Sequence, residues 1–335
     1  MDNKHLVVSS IPHIHSKVSI EKVMRTVLVA LAPAALLGAF YSGPRSFIVI
    51  AISVASCMLF EAAYQKLTKQ KISISDLSAA VTGLLLAMNL PPSSPYWMPV
   101  VGAFVAIIIA KQLFGGLGQN FMNPALAGRA FLVAAYTPQM TASFTEPVSG
   151  FGFVDAVVTA TPLNLLKSGG LVPSGADYLN AFVGNIAGCI GEVSAAALVA
   201  GGLFLIITRV VTWHVPVTFI GTVFIFTFIF QPEGFFAGYP AYHTLTGGLM
   251  LGAFFMATDY SSSPITPVGK LVFGFGCGLL TGLIRVYGGY PEGVSYAILI
   301  MNLAVPLIER VTKPRVYGVK RVKVNDRKGE VTGVR

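Results

Sequence analysis

Residues 212–230 read TWHVPVTFIGTVFIFTFIF, an apolar run that contains no Asp, Glu, Lys or Arg. A helix that crosses the hydrocarbon core of a bilayer needs about 20 mostly apolar residues, and this run meets that requirement. The rest of the chain repeats the pattern, because 54% of its 335 residues are hydrophobic and only 11% are charged. Soluble domains carry about 25% charged residues. The sequence therefore predicts an all-α integral membrane protein.

Ten apolar runs predict about ten transmembrane helices. They cover 22–41, 45–64, 77–90, 96–114, 123–136, 180–208, 212–230, 244–258, 268–286 and 293–309. The third, fifth and eighth runs are too short for plain spans, and they contain or adjoin Pro and Gly residues. Lipid cannot hydrogen-bond the free backbone groups of a broken helix. We therefore expect these three breaks to be buried in protein or to line a cavity.

The third and eighth runs share a weak similarity. Each contains Thr-Gly, at 82–83 and 246–247, and is followed by Ser-Ser-Pro, at 93–95 and 262–264. Because spans that are five apart point in opposite directions, the two halves would form an inverted five-helix repeat of the urea-transporter type. The strings are common, so chance similarity stays an alternative.

Positive charge is concentrated on one side of the predicted bundle. With both termini in the cytoplasm, nineteen of the 23 Lys and Arg residues fall on the inner side, including Lys111 and the nine from Arg310 to Arg335. Only Arg45, Lys167 and Arg285 would face outward, and Arg129 lies within a helix. This bias predicts that the N- and C-termini are cytoplasmic. The net charge of +9 thus indicates membrane anchoring rather than nucleic-acid binding.

The chain divides into a polar N-terminal segment at 1–21, a transmembrane bundle at 22–310 and a basic tail at 311–335. The longest non-helical stretch between spans is predicted at 137–179, on the outer side. No apolar run with a small-residue cleavage site begins the chain, so we expect no signal peptide.

The cysteines and histidines do not form a recognisable metal site. Cys57, Cys189 and Cys277 lie far apart in apolar segments, without CxxC spacing, and are predicted to be small buried hydrophobes. His13 and His15 have no Cys or acidic neighbours at ligand spacing and are predicted at the surface. We therefore expect no metal site and no iron–sulfur cluster within this chain.

Two charged residues, Arg129 and Glu192, fall within apolar runs, where ionised groups are costly and usually face a partner or a water-filled cavity. Glu192 is a candidate for an ion pathway, and a structural ion pair between the two residues is the alternative. Four other charged residues near span ends are expected to be interfacial anchors: Asp259, Lys270, Arg285 and Glu292.

Each of two polar motifs can be interpreted either as a structural feature or as a functional site. The outer stretch at 151–163, FGFVDAVVTATPL, is a turn or helix start, or it offers a hydroxyl for modification. The stretch at 115–120, GGLGQN, together with Asn123, serves close helix packing or lines a second flavin or quinone pocket. The residues alone do not decide between these alternatives.

Several strings, in order along nearly the whole chain, resemble the RnfD/NqrB family. Its RnfD members belong to the Rnf complex (ferredoxin:NAD oxidoreductase), and its NqrB members belong to the sodium-pumping NADH:quinone oxidoreductase; the resemblance here is to the RnfD members. The strings are IPHIHS at 11–16, GGLGQN at 115–120, NPALAGRAF at 123–131, DAVVTATPL at 155–163, GCIGE at 188–192, ATD at 257–259 with Ser263-Pro264, RVYGGYPEG at 285–293, and Met301-Asn302.

The resemblance implies a covalent flavin. The family carries FMN esterified through its phosphate to the last Thr of a Ser/Thr-Gly-Ala-Thr motif, which corresponds here to Thr161. The chain departs from the motif at Val158 and Thr159, and Thr159 is the less favoured acceptor because the following residues keep the register. The other candidate cofactor-binding residues are Asp155, Thr159, Arg129, Asn120 and Asn123, with Arg129 expected to contact the phosphate or the ring.

The implied function is a flavin-carrying subunit of an ion-translocating electron transport complex in a prokaryotic cytoplasmic (inner) membrane. It would not be active alone, and it would couple electron passage to Na⁺ or H⁺ movement. The expected partners are iron–sulfur subunits, a second covalent-flavin subunit and lipid, and a second flavin such as riboflavin is a further candidate cofactor. Two alternatives stay open, namely the NqrB-type component of the quinone reductase, which usually has a longer N-terminus, and a cofactor-free channel or transporter.

Overall fold

The structure, a computed structural model, describes residues 19–70, 73–141, 144, 160–230, 236, 238–289 and 292–313. Within these ranges every regular element is helical, which confirms the all-α class. The helices are α1 (Ile20–Ser42), α2 (Pro44–Leu67), α3 (Ser78–Met88), α4 (Trp97–Phe104), α5 (Pro124–Ala135), α6 (Thr137–Thr141), α7 (Pro162–Lys167), α8 (Gly175–Val183), α9 (Ala195–Ile207), α10 (His214–Ile229), α11 (Pro240–Leu245), α12 (Leu249–Leu251), α13 (Pro267–Tyr287) and α14 (Val294–Thr312).

Several of these helices can cross a membrane. In the described ranges five are long and apolar enough to do so, namely α1, α2, α4 with its continuation to Phe114, α13 and α14. Four others, α3, α5, α9 and α10, are apolar but shorter. The chain is therefore a multi-pass membrane protein, whereas the number of about ten spans and the inverted repeat stay predictions.

The three runs that were expected to be broken are short or interrupted. α3 and α5 have 11 and 12 residues. The eighth run is divided into α11 and α12 at Gly247 and Gly248, whose φ values of 70° and 67° lie in the left-handed region that favours glycine. α12 then widens into a π turn, Gly252–Met256, and α4 does the same at Val105–Ile109. The prediction of broken helices in these runs is confirmed.

The prediction of one helix over 180–208 is wrong. α8 and α9 are separate helices, and the chain between them turns at Gly184, whose φ is 127°. A Cβ at Gly184 would lie 2.9 Å from the Val193 carbonyl oxygen, so the close approach requires glycine. The uniformly apolar sequence conceals this break. As a result Glu192 lies in a 3₁₀ turn before α9 rather than inside a helix.

The stretch at 137–179 is less irregular than expected, because α6, α7 and the start of α8 lie within it. α8 begins with a capping box in which Asp177 accepts hydrogen bonds from the backbone N–H and the hydroxyl of Ser174, at 2.8 and 2.7 Å. These two donors hold the pKa of Asp177 below its usual value. Partial burial lowers the pKa of Lys167, whose Nζ donates to the Gly288 carbonyl.

Several pairs of helices that are distant or adjacent in sequence pack against each other in the bundle. α1 packs against α9, α5 against α14, and α10 closely against α13. The close contact depends on glycine, because a Cβ at Gly278 of α13 would lie 2.9 Å from the Phe219 carbonyl oxygen of α10. We call the end where α1 begins and α14 ends the amino-terminal face, and the other end the opposite face.

Candidate functional site

Buried polar side chains gather in two clusters, one toward each face of the bundle. The Lys111 cluster, toward the amino-terminal face, consists of Glu61, Gln65, Ser78, Lys111 and Gln112. The Arg129 cluster, toward the opposite face, consists of Asn89, Arg129, Glu192, Glu292 and Ser295. Intramembrane charges are costly and usually mark a partner, a pathway or a ligand site.

Arg129 joins three separate parts of the chain. Its Nη1 donates to Asn89 Oδ1 at 2.9 Å and to Ser295 Oγ at 2.7 Å, and its Nη2 forms an ion pair with Glu292. Asn89 follows the short helix α3, while Ser295 and Glu292 lie at the start of α14. The expectation that Glu292 is an interfacial anchor is therefore wrong. Its side chain is only 14% exposed, because it neutralises a guanidinium that lies inside the bundle.

Glu192 is the second carboxylate of this cluster. Its Oε1 lies 4.0 Å from Arg129 Nη2, which is beyond hydrogen-bond distance, and among the described residues it has no hydrogen-bond partner. The Glu192 carboxylate lies close to the backbone at Gly248, because a Cβ at that position would be only 2.7 Å from Oε1. The Arg129–Glu192 contact is thus a long one, and the main partner of Arg129 is Glu292, which the sequence did not indicate.

Arg285 stabilises the break between α11 and α12. It is 3% exposed, and its guanidinium donates to the carbonyls of His243, Thr246 and Gly247, the last two at 3.2 and 2.9 Å. Carbonyls at the end of a helix need donors from outside it, and Arg285 supplies such donors here. The prediction of Arg285 as a snorkelling anchor is wrong, because the broken backbone needs a donor inside the protein.

A cleft between α5, α6, α7 and α14 brings Thr161 and Arg129 together. We call it the Thr161 cleft, and its polar lining includes Arg129, Thr141, Thr161, Asn164, Glu292 and Ser295. It has about 600 Å³ of free space, which includes space open to the outside. The candidates Asp155 and Thr159 lie outside the described residues.

Thr161 caps the start of α7. Its Oγ1 accepts a hydrogen bond from the Asn164 backbone N–H at 3.4 Å, and the residue is 5% exposed. Two residues after Thr161, the Leu163 side chain packs directly against Gly247, in the space that a Cβ at Gly247 would need. This contact holds the segment that contains Thr161 against the helix break. The helix break that Arg285 supports therefore also holds the loop that carries Thr161.

The Lys111 cluster is a closed acid–base pair. Lys111 Nζ lies 2.8 and 2.9 Å from the two carboxylate oxygens of Glu61 and donates to Ser78 Oγ at 2.7 Å. Gln112 Nε2 donates to Glu61 Oε1 at 2.8 Å. Both charged side chains are 1% exposed. Lys111, which was counted among the inner-side charges, is therefore buried in an ion pair, and Glu61 had not been noticed.

Asn120 and Asn123 line a separate cavity at the amino-terminal face, with about 740 Å³ of free space including open space. Asn123 caps α5, because its Oδ1 accepts from the N–H groups of Ala125 and Leu126 at 3.0 and 3.3 Å. Asn120 differs, since its Oδ1 is buried without a hydrogen-bond partner in the described part of the chain. The structure thus separates these two candidates from Arg129, Thr161 and Glu192.

The sequence gives only a weak indication that Glu61 and Lys111 form a buried ion pair. Glu61 is an acid near the end of an otherwise apolar run, and Lys111 is a base near the end of another. Such a pair is a reasonable candidate for a buried ion pair. The sequence does not say that the two runs are neighbours. The three cysteines are buried and free, as predicted.

Comparison with known proteins identifies relatives over nearly the whole chain. The family described as the NQR2, RnfD, RnfE family matches residues 7–318. The chain is 49% identical to the D component of the Na⁺-translocating ferredoxin:NAD⁺ oxidoreductase complex of Acetobacterium woodii, over 96% of this chain and 98% of that protein. It is 45% identical to the D component of the proton-translocating ferredoxin:NAD⁺ oxidoreductase complex of Clostridium ljungdahlii, over 94% and 96%.

A third relative is more distant. The D component of the ion-translocating oxidoreductase complex of Aliivibrio salmonicida is 37% identical, over 94% of this chain and 99% of that protein. Both a family match over most of the length and relatives well above 30% identity therefore support one assignment.

Proposed function

The chain belongs to the NQR2, RnfD, RnfE family and is a subunit of a redox-driven, ion-translocating ferredoxin:NAD oxidoreductase complex, in which we propose that it carries FMN on Thr161. The attachment would be a phosphoester to the Thr161 hydroxyl. When bound, the flavin supplies the acceptance and release of electrons, and the protein supplies its position and electrostatic surroundings.

One observation supports the proposal most directly. Thr161 and Arg129 are far apart in sequence, yet they line the same cleft. A phosphate group favours a nearby guanidinium because charge-assisted hydrogen bonds to Arg are strong and directional. The resemblance selects Thr161, the position of a charge within an apolar run selects Arg129, and their shared cleft is an independent reason to consider them together.

The residues present fit a phosphoester at this place. Among the described residues the Thr161 oxygen accepts one hydrogen bond and donates none, so substitution of its hydroxyl proton would break no donated bond. Ser295 and Asn164 supply further polar groups in the cleft, and Arg129 supplies the positive charge. Glu292 shares Arg129 and keeps the guanidinium in place when the cleft holds no anion.

Substitution of the acceptor tests this proposal. Thr161→Ala should abolish the flavin fluorescence of the denatured protein band and remove the mass of the attached group, when the chain is produced with its flavin-attaching enzyme. Thr141→Ala is a matched control. It also removes a hydroxyl from the cleft, but that hydroxyl donates to the Thr137 carbonyl within α6.

The variant Thr159→Ala distinguishes the two neighbouring hydroxyls. We expect full attachment in Thr159→Ala and in Thr141→Ala, and none in Thr161→Ala. Attachment that survives in Thr161→Ala but fails in Thr159→Ala would move the ester to Thr159. An unmodified wild-type chain would contradict covalent flavin altogether.

A second flavin, such as riboflavin, has a separate candidate site. We propose that it binds in the amino-terminal cavity, because Asn120 presents a buried carbonyl oxygen that lacks a donor there. Flavin released by denaturation, separated from the covalent FMN, should fall in Asn120→Ala. The exposed neighbour Gln119→Ala should release the wild-type amount. Equal release from both variants would exclude Asn120 as a ligand.

We further propose that both termini are cytoplasmic in a prokaryotic inner membrane and that the Thr161 cleft faces outward, as the charge bias predicts. The native cysteines are buried, so a single introduced cysteine can report its side. Ser168 and Lys69 are both exposed, and the proposed topology places Ser168 outside and Lys69 inside. An impermeant thiol reagent applied to whole cells should therefore label Ser168→Cys and not Lys69→Cys. The reverse pattern would invert the topology.

Partners and the coupling ion are proposals as well. We propose that iron–sulfur subunits and a second covalent-flavin subunit of the same complex exchange electrons with this chain. The relatives from Acetobacterium woodii and Clostridium ljungdahlii are named for Na⁺ and for protons respectively, so similarity alone does not select the ion. Flavin-dependent ion uptake by vesicles containing the whole complex, with and without Na⁺, would select it.

A further inference from the structure

The Arg129 cluster contains more carboxylate than its bonded cation can satisfy. The side-chain ligand atoms of Cys189, Glu192 and Glu292 all lie within 4.8 Å of one another. Arg129 gives its ion pair to Glu292. Its other hydrogen bonds go to neutral partners, at Asn89, Ser295 and the Cys189 thiol. Glu192 is left with a buried oxygen that no donor contacts among the described residues.

The second nearby cation does not resolve this imbalance. Arg285 directs its donors to the backbone carbonyls at the break between α11 and α12, including Gly247 at 2.9 Å. In the described ranges no ion pair joins Arg285 to a carboxylate. Its charge is near enough to interact electrostatically with Glu192, but its hydrogen bonds go to the carbonyls of His243, Thr246 and Gly247.

We propose that Glu192 is a proton-binding site, held as a neutral carboxylic acid beside the Glu292–Arg129 ion pair. A buried ionised carboxylate is unfavourable when one of its oxygens receives no hydrogen bond, as Oε1 of Glu192 does not among the described residues, whereas the neutral acid loses most of that cost. Taking up one proton converts the carboxylate to a carboxylic acid and changes no other bond. The cluster then contains one carboxylate, that of Glu292, and one guanidinium, that of Arg129, and the two form an ion pair.

The same geometry disfavours a metal cation as the occupant. A Na⁺ ion would need several oxygen ligands, but one of the three groups that lie within 4.8 Å of one another here is the thiol of Cys189. It would also lie close to a guanidinium, since Arg129 Nη2 is 4.0 Å from Glu192 Oε1. Gly248 packs directly against that oxygen and leaves little space for an ion and its water.

The proton site is connected to the Thr161 cleft. Glu292, Arg129 and Ser295 all line the cleft, and Glu192 lies directly behind them. An anionic group in the cleft would compete with Glu292 for Arg129, and the extra negative charge would favour retention of the proton on Glu192. This link to an anionic cofactor rests on the proposed function, whereas the proton on Glu192 does not.

Infrared spectroscopy of the purified full-length chain tests the site. Wild type should show one carbonyl stretch of a buried protonated carboxyl, which shifts slowly in D₂O, and Glu192→Gln should lose it. The matched control is Glu61→Gln with Lys111→Met, which removes the other buried acid together with its base and should keep the band. Flavin fluorescence of the same samples reports the proposed function separately.

Three outcomes would overturn the proposal. They are a wild-type spectrum without the band, a band that persists in Glu192→Gln, and a band that disappears as Na⁺ is added and thereby identifies a metal ion as the occupant. Thermal denaturation of each variant, together with the conservative Glu192→Asp variant, which should keep a shifted band, distinguishes loss of the proton from loss of the fold.

Discussion

The two buried clusters differ in how their charges are balanced. In the Lys111 cluster one fully buried acid is paired with one base, and both oxygens of Glu61 lie within 2.9 Å of Lys111 Nζ. The half-buried Asp76 beside it accepts hydrogen bonds from Ser78. In the Arg129 cluster a single guanidinium faces two carboxylates, and one oxygen of Glu192 has no partner among the described residues. The first arrangement is complete without a ligand. The second is incomplete, and it borders a cleft.

The origin of the residues differs as well. The Lys111 cluster is formed by α2, α3 and the continuation of α4, which are close in sequence. The Arg129 cluster draws on α5, the 3₁₀ turn at Ile190–Glu192 and the start of α14. A site assembled from distant broken segments is typical of binding sites in membrane bundles, whereas a local ion pair more often serves packing.

The largest expected effect comes from opening the Lys111 cluster. Lys111→Met leaves Glu61 buried without its cation and should lower the free energy of unfolding by about 3–5 kcal/mol. The double variant Glu61→Gln with Lys111→Met removes both charges and should recover most of that loss. Thermal denaturation in detergent measures both. A double variant no more stable than Lys111→Met would show that the pair is not a simple structural unit.

In the Arg129 cluster the two acids should behave differently. Glu292→Gln leaves Arg129 without its ion-pair partner and should destabilise the protein by about 1.5–3 kcal/mol, the range for hydrogen bonds to charged groups. Glu192→Gln imitates the neutral acid and should cost less than about 1 kcal/mol. The same thermal assay compares them. Equal losses would indicate that Glu192 is ionised and held by Arg129.

The helix break beside the Arg129 cluster gives an effect of similar or smaller size. A Cβ in Gly247→Ala would overlap Leu163, would lie 2.8 Å from Arg285 Nη2 and would require a φ of 70°. We expect a loss of about 1–3 kcal/mol, as for other overpacked cores, together with less flavin attachment at Thr161.

Gly221→Ala is the control for this prediction, because a Cβ there meets nothing within 4 Å. It should leave attachment unchanged and, in the interior of α10, should be neutral or stabilising. Normal attachment in Gly247→Ala would mean that Leu163 does not position the acceptor.

The smallest effect concerns pH, and it lies outside both clusters. The donors from Ser174 depress the pKa of Asp177, so its contribution to the stability of α8 is present above about pH 4, the unfolded value, and is lost as the pH falls through the folded pKa. Hydrogen exchange of the α8 amides should therefore be faster in Asp177→Asn than in wild type at pH 7. The difference should shrink in acid, and a constant difference would contradict the assignment.

The Arg129 and Lys111 clusters also mark how far sequence reasoning reaches. Apolar runs predicted α1, α2, α10, α13 and α14 closely, because each run must match the thickness of the bilayer. Thr246 to Gly248 was correctly expected to interrupt a helix. The break at Gly184 was missed, because small and apolar residues surround it and no Pro marks it.

For the site, the residues could be selected but not paired. Arg129 and Glu192 were identified from their charge in apolar runs, and Thr161 from the resemblance. Glu292 and Arg285 were assigned to the membrane interface, because their distance from the nearest span end is all that a linear sequence shows. The structure gives each a buried partner, at Arg129 and at the carbonyls of the α11–α12 break.

The sequence by itself determined that this chain is a helical membrane protein of one family, because the hydrocarbon core imposes length and composition on every span. Only the tertiary structure decided that Arg129 is paired with Glu292, that Lys111 is closed by Glu61, and that Thr161 shares a cleft with Arg129. The physical reason is that charge balance and hydrogen bonding depend on which helices are neighbours. That arrangement follows from packing around glycines and helix breaks rather than from hydropathy.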